Sequence, residues 1–412
     1  MSKTYMQKYG IWLYILRQFN RLFGKLERVF MAKHLNKKEK KTKEAKLKEP
    51  DFFKNIMNDK KYDKIFVFYP YTEWDLPIFQ RPQQIALELT KNENILYIYC
   101  TTNRDFDEVY YYQKIKENLI VTTEFEEVMK AKSDKVILHL YSTDTRSNLN
   151  YLKESLNNGT KIMYEYIDEI HYDITHNVSD EYLEKHNFLM KDERVKLVTT
   201  ADKLYEDAKL VRSKNFVLAT NGVNPDDFKY ENMAIPSKMN KIIRKYKKVI
   251  GYYGALAKWF DYELINKLAK KHKDYAIVLI GHNYDFSIYQ SKILNNSNVF
   301  YLGKVNYYKL IDYSKHFDLL TIPFLINDIT ESTSPIKLFE YMAIKKPILT
   351  TDLRECRKYK SAIIGKDHDD FLNKVDYAIN LINDDKYIKL EEKEADENSW
   401  KNKCNEILTL ID

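Results

Sequence analysis

The chain has 412 residues, of which 44% are hydrophobic and 31% charged, and it carries a formal net charge of +7. At roughly 100–200 residues per domain this length gives two or three domains with sizeable cores, and the charge density excludes a multispanning membrane protein. Cys100, Cys356 and Cys404 show no CxxC or CxxH spacing, which excludes a disulfide framework or structural zinc and, with no visible signal peptide, leads us to expect a reducing cytoplasm.

The charge is unevenly placed. Residues 1–49 hold 14 Lys and Arg against 4 Glu, which leaves residues 50–412 at −3. A nucleic-acid groove needs basic residues spread over the folded domains, so nucleic acid is not an expected partner. Between Tyr9 and Met31, Trp12, Ile15, Leu16, Phe19, Leu22, Phe23, Leu26 and Phe30 recur at three- and four-residue intervals, with Arg17, Arg21, Lys25 and Arg28 elsewhere on the helix. Such a basic amphipathic helix suits the headgroup region of an anionic membrane, and residues 9–31 are expected to lie there. The alternative is docking of the apolar stripe on the body or on a second protomer. Residues 33–49, nearly all Lys, Glu and Ala, read as a solvated helix or tether.

From Lys64 the pattern becomes alternating strands and helices. Apolar runs occur at 64–70, 95–100, 119–123, 135–141, 161–168 and 195–200, with helical stretches at Pro82–Lys91 and Asp180–Met190. A polar stretch, 229–247, follows and reads as an interdomain linker. A second strand series begins at 248–254 and continues at 275–281, 298–303, 317–324 and 346–352, with helices at Pro335–Ala343 and Asp370–Ile382. The expected fold is α/β, with two doubly wound Rossmann-like domains whose ligands lie at the carboxyl ends of parallel strands. The expected division is 1–49 amphipathic helix and tether, 50–230 first domain, 231–247 linker, 248–395 second domain and 396–412 terminal helix.

Only nine glycines occur, and three end strands of the second series: Gly254, Gly281 and Gly303. Glycine there lets a backbone approach a ligand, often a phosphate at the next helix start, although tight turns explain any one of them. The stretch Thr333-Ser334-Pro335 is a good helix start, since Ser or Thr caps and proline suits the first turn. Lys337 adds charge one turn in, and Glu340 is placed to accept two hydrogen bonds from a ribose diol; a capped helix with a surface glutamate is the plainer reading.

In order, FQRPQQIALEL (79–89), YIDEIHYD (166–173), NGV (221–223) with Phe228, GYYGALAKWFD (251–261), IVLIG (277–281), NVFYLGKV (298–305), SPIKLFEYMAIKKPIL (334–349) and SWKNKCNEI (399–407) resemble the retaining GT-B glycosyltransferases of family 4, the glycosyl transferases group 1 type. The resemblance covers about residues 62–412. It implies two domains facing a cleft and transfer of a sugar from a nucleotide sugar to a glycan or glycolipid acceptor, in bacterial cell-surface polysaccharide or glycolipid synthesis at the inner face of the membrane. Glu340 matches the second glutamate of the family's E-x7-E motif, which binds the donor ribose, and the Thr333–Ser334 amides match those that hold the diphosphate. The first glutamate position falls on Ser332, with Glu331 one residue early. Gly254 matches the loop under the pyrophosphate, Gly281 of the IVLIG match is counted with the donor-binding residues, and Val305 matches the backbone site that reads the nucleobase. Lys258 is the nearest candidate for the phosphate-binding cation, though the usual Arg and Lys pair is not reproduced.

On the first domain, Asp168 stands where many relatives carry a polar residue beside the donor sugar. A carboxylate there can take an acceptor proton or bond a sugar hydroxyl, with Glu169 and His171 as alternatives; a helix cap is the plainer reading. The expected catalytic residues are thus Asp168, Glu169 and Lys337. On the acceptor side, Trp74 is placed to stack on a sugar ring and Asp75 or Arg81 to bond it, against local packing and a helix-start arginine. Two D-x-D triplets, 105–107 and 367–369, lie away from the expected phosphate site or before a helix that needs acidic caps. No metal and no cofactor beyond the donor are therefore expected, with leaving-group charge met by cations and a helix dipole. A nucleotide-sugar 2-epimerase, or an inactive scaffold in a glycan assembly complex, is the alternative.

Overall fold

The computed structural model describes residues 40–76, 79–104, 107–175, 178–229 and 235–412. The expected helix at 9–31 lies outside the described residues. Residues 40–48 are helical, and they are docked on the body. Lys46 lies 2.6 Å from both Glu124 and Glu127, and Ala45 packs on the first core.

Eight strands form the first sheet: β1 Lys64–Phe68, β2 Ile95–Cys100, β3 Tyr112–Lys116, β4 Leu119–Thr122, β5 Val136–Tyr141, β6 Lys161–Tyr166, β7 Lys196–Thr199 and β8 Phe216–Leu218. Their order is β3-β4-β2-β1-β5-β6-β7-β8, parallel throughout except where β3 runs against β4. β3 was not expected, because YQKIK at an exposed edge carries little apolar signal. The second sheet contains β9 Lys248–Tyr253, β10 Tyr275–Ile280, β11 Val299–Gly303, β12 Leu319–Ile322, β13 Ile348–Thr351 and β14 Ala362–Gly365, in the order β11-β10-β9-β12-β13-β14 and parallel throughout. The short β14 also went unread in the sequence.

Both sheets reverse direction of growth at their first strand, β1 between β2 and β5 and β9 between β10 and β12. In open parallel sheets the crevice beyond the strand ends at such a switch point receives ligands. The two crevices face each other.

The stretch expected as a linker is different in kind. Val223 and Phe228 already belong to the second core, and Ser237–Lys245 is a helix burying Met239 and Ile242 against it. Two apolar residues three apart among lysines were too sparse a signal to read as a helix. The chain instead crosses at 219–223, and it returns at 398–400 beside the first crossing. The two passes are bonded to each other: Val223 N–H donates to the Asn398 carbonyl (3.1 Å) and Trp400 N–H to the Val223 carbonyl (2.9 Å). Gly222 is required at this crossing, since a Cβ would stand 2.6 Å from the Asn398 carbonyl oxygen. Helix Trp400–Ile411 then packs on the first domain, burying Trp400, Cys404, Ile407 and Ile411 in its core. Among the described residues no helix is long and apolar enough to cross a membrane.

Candidate functional site

A cavity of about 620 Å³ lies between the two facing crevices. The first domain contributes Tyr71, Arg81, Tyr141, Thr143 and Asp168 to its wall, and the second contributes Gly254, Gly281, His282, Lys304, Val305, Thr333, Ser334, Lys337 and Glu340. Residues more than 250 positions apart in sequence thus meet.

The second-domain wall is built around its glycines. Gly254 has φ +145°, and a Cβ on it would lie 2.7 Å from Cε of Lys337, so the missing side chain is the space the lysine passes through. Gly281 has φ +147°, and its Cβ would collide with the Gly254 carbonyl at 1.8 Å. The two loops are in backbone contact because Gly281 has no side chain to hold them apart. Gly281 N–H bonds the Gly303 carbonyl at 2.8 Å, which links the third strand end to the pair.

Helix Ile336–Ile344 points its amino end at this floor. Of its first-turn amides Leu338 N–H donates to the Pro335 carbonyl (3.0 Å), while those of Ile336 and Lys337 begin the helix and carry partial positive charge. Lys337 is half-buried on the cavity wall, its ammonium 4.7 Å from the ring centre of Phe324 and 5.7 Å from that of Tyr252. Burial lowers its pKa to about 8, against the pull of Glu340. Glu340 is raised to about 7 by burial, with Tyr253 and Lys337 acting the other way. Across the cavity Asp168 is also raised to about 7, by burial alone. Two carboxyls and a lysine therefore share one cavity with an amide-rich helix end, and burial brings all three side chains toward neutral pH.

Several expectations are corrected. Trp74 is 4% exposed and packs edge-on against Tyr99 and Phe79, so it is a core residue with no face free for a sugar. Asp75 is off the cavity wall, and its amide bonds Asp107. The Lys258 side chain is 70% exposed and reaches Asp173 at 3.8 Å, forming an interdomain rim contact outside the cavity. Ser332 is buried outside it too, donating its hydroxyl to Glu169 at 2.6 Å. That one bond removes both Ser332 from the donor set and Glu169 from the catalytic set, because each satisfies the other across the domains. Neither Glu331 nor His171 reaches the wall. Thr333 lines the cavity, but its amide turns to the Thr330 carbonyl (3.3 Å) and its hydroxyl to that of Ile329 (2.7 Å), leaving Ser334 and the helix amides to meet a ligand.

Arg81 does reach the wall, from below. Its Nε bonds Glu165 at 2.5 Å, and Nη1 bonds the Thr220 carbonyl (3.0 Å) and Asn221 Oδ1 (3.2 Å). Asn221 in turn donates Nδ2 to the Ser334 carbonyl at 2.7 Å and its backbone N–H to Ser334 Oγ at 3.3 Å. Arg81 and Asn221 thus pin the donor-side helix start to the first domain. The sequence reading quoted Asn221 without a role, since its partner lies 113 residues away.

Asp107 accepts from the amides of Trp74 and Asp75, Asp367 caps helix His368–Asn380, and Asp369 lies exposed in that helix's first turn; residues 105 and 106 lie outside the described residues. Among the described residues no group of three or more His, Cys, Asp or Glu is placed to hold a metal.

Residues 247–380 match the family described as Glycosyl transferases group 1. The Bacillus subtilis (strain 168) protein named as the teichuronic acid biosynthesis glycosyltransferase TuaH is 24% identical over 160 residues, 37% of this chain and 40% of that protein. The match therefore spans well under half the length of that curated relative. Among solved structures, sucrose-phosphate synthase from Thermosynechococcus elongatus superposes with a TM-score of 0.63 at 11% identity, over 85% of this chain and 98% of that one. Anabaena HepE in complex with UDP gives 0.62 at 10% identity, over 84% and 99%. A glycosyltransferase from Rickettsia africae gives 0.60 at 14% identity, over 85% and 98%. The fold is GT-B, and the second domain carries the group 1 glycosyltransferase pattern.

Proposed function

We propose that this chain is a metal-independent, retaining glycosyltransferase of the family 4 type, moving a hexosyl group from a nucleotide sugar to a hydroxyl of a glycan or glycolipid. The observation that carries the reading is the pairing of half-buried Lys337 with buried Glu340 at one helix start, facing half-buried Asp168 across an interdomain cavity. That cavity accommodates a nucleotide sugar, the ligand class named for neighbours such as HepE with UDP-glucose.

In this reading the diphosphate sits on Ser334 and the amides that begin helix 336–344, with Lys337 beside it, and the ribose hydroxyls donate to Glu340. Gly254 and Gly281 let the backbone approach the phosphates, and Val305 meets the base. As the anomeric carbon–oxygen bond breaks, its electron pair passes to the phosphate oxygen, where the helix end and Lys337 stabilise it. The acceptor oxygen bonds the anomeric carbon on the same face, and its proton goes to the departing phosphate oxygen, which gives retention. Asp168 orients a sugar hydroxyl at that centre. The product belongs to bacterial cell-surface polysaccharide or glycolipid, made at the cytoplasmic face of the membrane with residues 9–31 on an anionic surface.

The test is incubation of the purified chain with a panel of nucleotide sugars, with and without glycan and glycolipid acceptors. Nucleotide release that depends on an acceptor supports transfer. Conversion of the donor alone supports a 2-epimerase, and no turnover with any pair supports a scaffold.

A further inference from the structure

The turn that carries Asp168 is bonded to the second domain by two separate routes. Glu169, the next residue, accepts from the Ser332 hydroxyl at 2.6 Å, and Ser332 is fully buried two residues before Ser334. Lys203 stands 3.9 Å from the same Glu169 oxygen. The second route runs the opposite way. Helix Asp202–Val211 begins on Ala201, which has no side-chain acceptor to cap it, and its first amide is met by the other domain instead: Asp202 N–H donates to Glu355 at 2.8 Å. Glu355 is 2% exposed, and Lys358 joins it to Asp202, lying 2.8 Å from the first carboxylate and 2.7 Å from the second. One turn on, Arg354 pairs with Glu206 at 2.6 Å. This helix start is tied back to the cavity, because Thr200 donates its hydroxyl to the Ile167 carbonyl at 2.9 Å, and Ile167 and Asp168 both line the wall.

These bonds differ in kind from an exposed ion pair such as Lys258 with Asp173. Each domain sets a carboxylate on an uncharged donor of the other, Glu169 on a hydroxyl and Glu355 on a helix amide. In each bond the second-domain partner is buried, so parting the domains here means rehydrating a buried hydroxyl and a buried carboxylate. Exposed pairs contribute little by comparison. The path across the cleft is also short. From Asp168 to Ser334 it runs through one residue step, one hydrogen bond and two further residue steps, and Asn221 holds Ser334 at its far end.

We propose that the Glu169–Ser332 and Glu355–Asp202 bonds form a reciprocal clasp that fixes Asp168 relative to Ser334 before substrate binds. Glu169 and Glu355 are then positioning residues for the transfer reaction proposed above. The consequence for rate rests on that reading, whereas the clasp is a property of the ligand-free chain and is measured without turnover.

Ser332→Ala and Glu355→Ala, singly and together, break one or both halves of the clasp without altering a residue of the cavity wall. The three cysteines are buried, so spin labels on Lys130→Cys and Lys389→Cys, both exposed and on opposite domains, report the interdomain distance. Ligand-free protein with the clasp intact gives one narrow distribution, and the double variant gives one at least about twice as wide. Equal widths overturn the clasp, whatever reaction the chain performs. In kinetics with the donor and acceptor found by the nucleotide-release panel, each single variant loses roughly ten-fold in kcat while donor KM stays within about two-fold, because the nucleotide rests on the second domain and only the chemistry needs both. Glu355→Gln keeps an oxygen for the Asp202 amide and stays within about three-fold of native kcat, a rescue that loss of folding would not show. A raised donor KM at unchanged kcat, or native kcat in the double variant, overturns the positioning role. Absence of turnover by native protein with every pair overturns the transfer reading and the positioning role with it, while the distance widths still decide the clasp.

Discussion

Replacing Glu340 with glutamine separates what this side chain costs the fold from what it gives the site. The substitution keeps the shape and removes the charge. In the ligand-free protein, burial lifts the Glu340 carboxyl from 4.5 to about 7. A carboxyl whose folded pKa lies above its unfolded one lends stability below the unfolded value and loses it as pH rises through the folded one. At about 1.36 kcal/mol per pH unit, the penalty grows from pH 4.5 upward and levels off above 7 at about 3 kcal/mol. Glutamine carries no such penalty, but it also removes the anion beside Lys337, so about 1–3 kcal/mol of stabilisation is expected at pH 8. For a domain of this size that is on the order of 5 °C in Tm, and near pH 4.5 it vanishes.

Activity moves the other way. A glutamine accepts from a ribose diol more weakly than a carboxylate, so kcat/KM falls by roughly ten-fold or more. The assay is thermal melting of Glu340→Gln and native protein from pH 4.5 to 8.5, with donor kinetics on the same preparations. A stability difference that does not grow with pH would show that Glu340 is solvated. A variant that is stabilised but fully active would show that the carboxylate does not hold the donor.

Donor kcat/KM peaks between about pH 7 and pH 8, because Glu340 is protonated below this window and the Lys337 ammonium is lost above it; a profile flat from pH 6 to 9 contradicts those roles. Lys258→Ala changes kcat/KM by less than about two-fold while Lys337→Ala costs at least ten-fold, and a reversed ranking in steady-state kinetics would return the phosphate to the Lys258 loop. Gly281→Ala forces a Cβ into the Gly254 carbonyl and a side chain onto positive φ, so urea unfolding reports a loss of at least about 2 kcal/mol even where the donor is absent. Removing residues 1–39 while keeping the docked 40–48 leaves activity on a soluble acceptor intact and abolishes sedimentation with anionic vesicles, whereas dissociation of an oligomer would assign residues 9–31 to protein docking.

The Gly254, Gly281, Ser334, Lys337 and Glu340 stretch of the cavity wall was readable because its signals are local. Glycines at strand ends, a Thr-Ser-Pro helix start and a glutamate five residues beyond it all fall within short windows, and local geometry then fixes what they face. The strand series was equally legible, since fully buried parallel strands leave apolar runs. The misreadings share a different cause. Ser332 and Glu169 are 163 residues apart, and nothing near either one announces that it is spoken for. Lys258 sits in the right loop but leans outward to Asp173. Trp74 follows a strand at the cleft, yet the loop folds back and packs it on Tyr99. In each case the position along the chain was right, and a side chain from elsewhere determined the direction.

The same distinction explains why Arg81 was placed near substrate for an incomplete reason. A charged residue at a helix start beside a cleft reads as a ligand contact, but four of its bonds or near contacts are internal: Glu165, the Thr220 carbonyl, Asn221 and, beneath it, the Trp400 ring at 5.7 Å. These come from the first domain, the crossing segment and the returning terminal helix. Arg81 is therefore fixed by three separate stretches of chain, and through Asn221 it is tied to Ser334 at the start of helix 336–344. Its guanidinium is thus fixed on the first domain and tied through Asn221 to the second. In the proposed transfer reaction such a tie matters, because the donor would rest on one domain and the acceptor on the other, and small errors in their separation are costly in rate.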